Sequence, residues 1–147
     1  MKVSNGVSIA SDGTLARPQL HDARLIGIIF PADTRALILA RDVRGTVHCI
    51  EFTGIERFRA EDLREGNIIL DVSVRTGTSV KPEDLAYPYG LSNGSSGAEL
   101  PRGILERLHS GEVGLIQLDS SYGCSFSCIC TGISVIPNWA SVATTLS

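Results

Sequence analysis

The sequence predicts a mainly β domain, an antiparallel sandwich or strongly curved sheet with one short amphipathic helix. Three observations lead there. Short apolar runs recur between turn residues along all 147 residues, and 15 glycines punctuate them. Only one stretch, near residues 100–108, spaces its apolar residues as a helix does. Alternating β and α segments are missing, which disfavours a doubly wound sheet and leaves a two-layer α+β arrangement as the alternative.

Taken in order, Asn5-Gly6 between Val3 and Val7 has type I′ turn chemistry and predicts a small N-terminal ribbon. Residues 23–30 (ARLIGIIF) are short, β-branched and apolar on both faces, as in a largely covered strand ended by Pro31. Arg35 to Arg41 and Thr46 to Phe52 flank Asp42-Val43-Arg44-Gly45 and read as a hairpin, giving a three-stranded meander. A short piece follows at Ile55 to Phe58, then an acidic helical turn over 61–66 closed at Gly66. Asn67 to Arg75 alternates, with Ile68, Leu70, Val72 and Val74 expected inward and Asp71, Ser73 and Arg75 outward.

From residue 76 to about 98 the rhythm stops, and prolines, glycines and serines predict a flexible loop, with a helical turn opening at Pro82. Leu100, Ile104, Leu105 and Leu108 then define the helix, with Gly111 just past its end. Two strands follow, Glu112 to Ser120 and Cys124 to Val135, joined at Ser120–Gly123, with a bulge or bend expected near Gly132.

The whole chain is expected to be one globular domain. With 43% hydrophobic residues it can bury a core, and four Phe, three Tyr and one Trp make that core an aliphatic one. The net charge of −3 and the scattered basic residues disfavour nucleic acid as a partner. No apolar run is long enough to span a bilayer, so no membrane partner is expected and the address is cytoplasmic, which keeps the four cysteines reduced.

Chemistry-bearing residues are few. Cys124, Cys128 and Cys130 could supply zinc ligands, but they share one strand face with Phe126 and lack the tight knuckle of a structural zinc site, so packing is the favoured reading. No cofactor motif is present. His21-Asp22 could be a base and its orienter, yet neighbours on an extended chain point to opposite faces, and a backbone hydrogen bond at the strand entrance is the simpler use. A small hydrolase or ligand-binding domain would gather His21, Asp22, Glu51 and Tyr122 around one pocket.

The segments His21-Asp22-Ala23-Arg24-Leu25, Gly54-Ile55, Arg64-Glu65-Gly66-Asn67-Ile68-Ile69 and Ser121-Tyr122-Gly123 together resemble small β-rich bacterial proteins of unknown function, some of them immunity-like. That resemblance covers about half the chain and implies a small protein that binds another protein; it supplies no catalytic residues. The function expected is a non-enzymatic interaction module of an immunity-like kind, whose partner is another protein or a second copy, with a small hydrolase or small-ligand-binding domain with a pocket near His21 and Asp22 as the alternative.

Overall fold

The computed structural model describes residues 1–92 and 99–139. Eleven strands are β1 (Lys2–Val3), β2 (Ser8–Ile9), β3 (Leu15–Arg17), β4 (Arg24–Ala32), β5 (Arg35–Arg41), β6 (Val47–Thr53), β7 (Arg57–Glu61), β8 (Ile68–Arg75), β9 (Gly114–Tyr122), β10 (Ser125–Cys130) and β11 (Gly132–Ile136). Two short helices are α1 (Ala86–Tyr89) and α2 (Ile104–His109). Nine strands form one sheet in the order β1-β11-β6-β5-β4-β8-β9-β10-β7, while β2 and β3 pair separately. All pairings are antiparallel except β1 with β11.

The large sheet has two halves that meet at a narrow joint. β4 and β8 pair only at Arg24 and Ile68. Three backbone bonds hold the joint: Leu25 N–H to Asn67 O (3.1 Å), Ile69 N–H to Ala23 O (2.9 Å) and Asp22 N–H to Ile69 O (2.9 Å). The halves fold over one another, so Ile38, Ile50 and Phe52 of one share a core with Val72, Ile116 and Phe126 of the other. A second core lies on the opposite face of β9 and β10, where Val80, Leu85, Ile104 and Leu108 cover Leu115 and Ile129. Burial on both faces explains why β9 and β10 read as nearly continuous apolar runs.

The few aromatics are concentrated rather than spread. All four phenylalanines form one row, Phe52 to Phe126 (5.9 Å between centroids), Phe126 to Phe58 (5.2 Å) and Phe58 to Phe30 (5.0 Å). The row crosses from β6 through β10 and β7 to β4, and so ties the two halves together. The core is aliphatic elsewhere.

Several local expectations are met. The β4-β5-β6 meander is present, with Leu39 opposite Cys49 and Ile38 opposite Ile50. Cys124, Phe126, Cys128 and Cys130 all face the core between the two halves of the sheet. The chain bends at Thr131, and the inward parity passes to Ile133, as the apolar pattern near Gly132 required.

Other expectations are corrected. Asn5-Gly6 does turn, but its flanks do not form a ribbon: β1 runs parallel to β11, and Gly6 packs against Val135. The segment 61–66 is not a helical turn; Glu61 ends β7, Asp62 takes a left-handed conformation (φ 62°) and the chain turns at Glu65-Gly66. In β8, register shifts around Ile69 turn that residue into the core and leave Leu70 46% exposed, whereas Val72 and Val74 keep the expected inward parity.

Within the expected loop at 76–98 the helical turn opening at Pro82 is present as Pro82–Leu85, preceded by a 3₁₀ turn at Gly77–Ser79 and followed by α1, and Val80 and Leu85 pack in the second core. The Gly/Ser tract at 93–97 lies outside the described residues. The helix begins at Ile104 rather than Leu100, since Gly103 adopts a left-handed conformation (φ 80°) immediately before it.

Phe126 sits in the middle of the aromatic row and is buried. Phe126→Ala is expected to lower stability by about 3–5 kcal/mol, measured by denaturant unfolding; a loss below about 1 kcal/mol would show that the row does not hold the halves together.

Candidate functional site

The β5–β6 turn builds the best-defined polar site. Asp42 Oδ1 accepts the backbone N–H groups of Arg44 and Thr46, both at 2.9 Å. Its Oδ2 lies 2.8 Å from His48 Nε2, which therefore donates to it. Asp42 thus orders the turn and orients an imidazole six residues on. Across from it, His21 Nδ1 donates to the Leu70 carbonyl at 2.6 Å. An open cleft of about 430 Å³ is lined by Gln19, His21, Asp42, Val43, Arg44 and His48.

With Nε2 donating to the carboxylate, neutral His48 carries its lone pair on Nδ1, the arrangement of a base and its orienter. Among the described residues no serine, threonine or cysteine lines this cleft, so it offers polar and acid–base groups without a hydroxyl or thiol nucleophile.

Of the residues expected around one pocket, only His21 lines this cleft. Asp22 lines an adjacent depression, its Oδ2 3.7 Å from His21 Nε2, an approach allowed by the left-handed conformation of Asp22 (φ 60°). Glu51 pairs with Arg35 and accepts from Ser134 Oγ (3.1 Å), away from the cleft. Tyr122 is half-exposed at the end of β9, beside Arg64. The hydrolase set is therefore not brought together. The Asp42–His48 pair escaped the sequence reading, although the hairpin register that places Arg41 opposite Val47 also brings residues 42 and 48 close.

The cysteines lie in packed surroundings. Cys49, Cys124, Cys128 and Cys130 are free and buried. Burial, with the nearby Glu51 carboxylate, pushes the Cys49 thiol up to about 11. Burial also raises Cys124, and the thiol contact with Cys130 followed by burial raises Cys128. Thiolates, the form that binds metals and attacks electrophiles, are thus disfavoured. Among the described residues no group of three or more His, Cys, Asp or Glu side chains is placed to hold a metal ion.

A second surface feature is apolar. Beyond Leu25, β4 has no strand partner on the side away from β5 among the described residues. Ile26, Ile29 and Phe30 on this strand are 45%, 41% and 52% exposed. This corrects the expectation of a covered strand: only Leu25 of β4 is buried, and the strand continues past Pro31 to Ala32.

No protein-family model, curated protein or solved structure matches this chain. No helix among the described residues is long and apolar enough to cross a membrane.

Two outcomes test the site. The Asp42 carboxyl is held below the usual carboxylate range, chiefly by the His48 hydrogen bond and then by the Thr46 and Arg44 amides. The folded state thus favours the ionised form, whose stabilisation is complete above the unfolded carboxylate value of about 3.9 and is lost as pH falls through the lower folded value. His48→Ala is expected to move the Asp42 titration upward in an NMR pH series; an unmoved titration would assign the depression to the backbone amides alone. Separately, a thiol-reactive disulfide reagent is expected to modify none of the four cysteines until denaturant unfolds the chain. Rapid modification of the native protein would contradict their burial.

Proposed function

We propose that this chain is a non-enzymatic protein-interaction module that binds by adding a strand to the free edge of β4. The observation that carries this reading is the edge itself: from Leu25 to Ala32 it holds no charged residue, and Ile26, Ile29 and Phe30 are exposed on it. Folded proteins blunt open edges with charges, prolines or bulges, because unpaired N–H and C=O groups recruit further strands. Here the register shifts near Gly27 and beyond Ile29, together with Pro31, limit the open stretch to about five residues without placing a charge on it. Main-chain hydrogen bonds would supply the affinity of an added strand, and the exposed isoleucines its selectivity.

A second copy of the chain is the partner that best fits this edge. Antiparallel pairing of two β4 strands about a two-fold axis sets uncharged residues opposite uncharged residues along the whole contact, with no like-charge penalty. The immunity-like reading calls for a foreign strand on the same edge. Sedimentation equilibrium is expected to show a dimer for the wild type and a monomer for Ile26→Lys and Ile29→Lys, each with an unchanged far-UV circular dichroism spectrum. A wild type that stays monomeric at high concentration overturns the self-pairing.

A further inference from the structure

The base of the β4–β5 hairpin carries an electrostatic conflict that the strand-pairing role does not use. Arg24 and Arg41 stand directly opposite one another in the β4–β5 register. Like charges in that position are destabilising unless a counter-ion lies between or beside them. Five other arginines, Arg35, Arg59, Arg64, Arg75 and Arg107, form ion pairs with carboxylates. Neither Arg24 nor Arg41 forms one among the described residues, and neither does Arg44, three residues further along the chain.

The neighbouring acids, two of which line the same depression, bond neither arginine. Asp42 is committed through both carboxylate oxygens, Oδ1 to the Arg44 and Thr46 amides and Oδ2 to His48. Asp22 Oδ2 lies 3.7 Å from His21 Nε2. Glu65 lines the neighbouring depression on the other side of the pair without bonding either arginine. Beside the pair, a depression of about 310 Å³ is lined by Asp22, Arg24, Arg41, Asp42, Val43 and Gly45. It adjoins the His21–His48 cleft across the same turn, where Arg44 lies.

We propose that Arg24 and Arg41 bind a small phosphate-bearing anion, a phosphomonoester or inorganic phosphate. Two guanidinium groups on neighbouring strands offer planar forks of N–H donors, which match tetrahedral oxyanions by charge and by geometry. The anion replaces the missing counter-ion and turns a repulsive pair into a clamp. Arg44 and the two imidazoles across the turn lie where the organic part of a phosphomonoester would extend. The strand-pairing edge begins beyond Leu25, so this site does not depend on it.

The test is thermal unfolding in inorganic phosphate at constant ionic strength, with chloride as the balancing anion. The wild-type midpoint is expected to rise saturably with phosphate. Arg41→Gln and Arg24→Gln are expected to weaken the apparent phosphate affinity at least tenfold, while Arg102→Gln, an exposed arginine elsewhere, leaves it unchanged. In chloride alone, Arg41→Gln is expected to unfold at the same temperature as the wild type or higher, because it removes the like-charge opposition. A phosphate response of equal size in all four proteins would be the general stabilisation that excluded anions give, and it would overturn the site, as would the absence of any response. Phenyl phosphate then separates the two ligand classes: binding tighter than inorganic phosphate and weakened by Arg44→Ala assigns a phosphomonoester, and equal binding assigns inorganic phosphate.

Discussion

Asn67 is the junction on which both halves of the sheet depend. Its backbone carbonyl accepts the Leu25 amide at 3.1 Å, holding β4 against β8. Its side-chain Oδ1 accepts the amides of Arg64 and Cys124, both at 2.9 Å, and Nδ2 donates to the Arg64 carbonyl. One buried residue therefore connects β4, through its backbone, with the turn before β8 and the entrance to β10, through its side chain. Leaving a buried amide such as that of Cys124 without a partner costs about 1–3 kcal/mol, so the side chain fixes this geometry and does more than fill space. Gly123 belongs to the same arrangement: its φ of +84° suits glycine, and a methyl group there would overlap Asn67 Oδ1.

A joint this short leaves most of the work of holding the halves to packing. β4 and β8 separate immediately after Leu25, because Asp62 and Gly66 turn the chain away in left-handed conformations where a longer β8 would have continued the pairing. The phenylalanine row instead joins β4 to β7, β10 and β6, and Phe30, at its outer end, is half-exposed on the unpaired part of β4. The exposed edge is thus a consequence of how the sheet curls. The constraint that closes the core also opens the surface.

The sequence was most legible where a strand meets the core on a regular pleat. Cys124, Phe126, Cys128 and Cys130 alternate with Ser125, Ser127 and Ile129, and period two alone put the first set on the face toward the core between the two halves. It was least legible where burial depends on a distant partner. The run 23–30 is apolar at nearly every position, which describes a strand covered on both faces and equally an edge awaiting a partner; only the end of pairing at Leu25 distinguishes them. The bulge near Ile69 inverted the inward residue without changing composition, and Gly103 delayed the helix by restricting the turn before it. The candidate site was hidden for a related reason. His21-Asp22 is conspicuous as a dipeptide, whereas Asp42 and His48 meet only through the hairpin register.

The two surfaces proposed for this chain share β4, and the division of that strand has a physical basis. At its start, pairing with both β5 and β8 fixes the backbone at Arg24, so the guanidinium has a rigid base opposite Arg41. Arg41 ends β5 opposite Arg24, and the turn that follows it is locked by the Asp42 carboxylate through two amides and His48. A like-charged pair on flexible loops would relieve its repulsion by moving apart. On two paired strands the backbones cannot separate, so the exposed side chains lower the energy by splaying into solvent or by sharing a bound anion. Beyond Leu25 the same strand loses one neighbour, its charges disappear, and its main-chain groups on that side lie open, as the proposed strand pairing requires. A single strand therefore passes from a rigid, charged segment suited to a small anion into an apolar edge suited to another strand, and the change falls where the Asn67 junction ends.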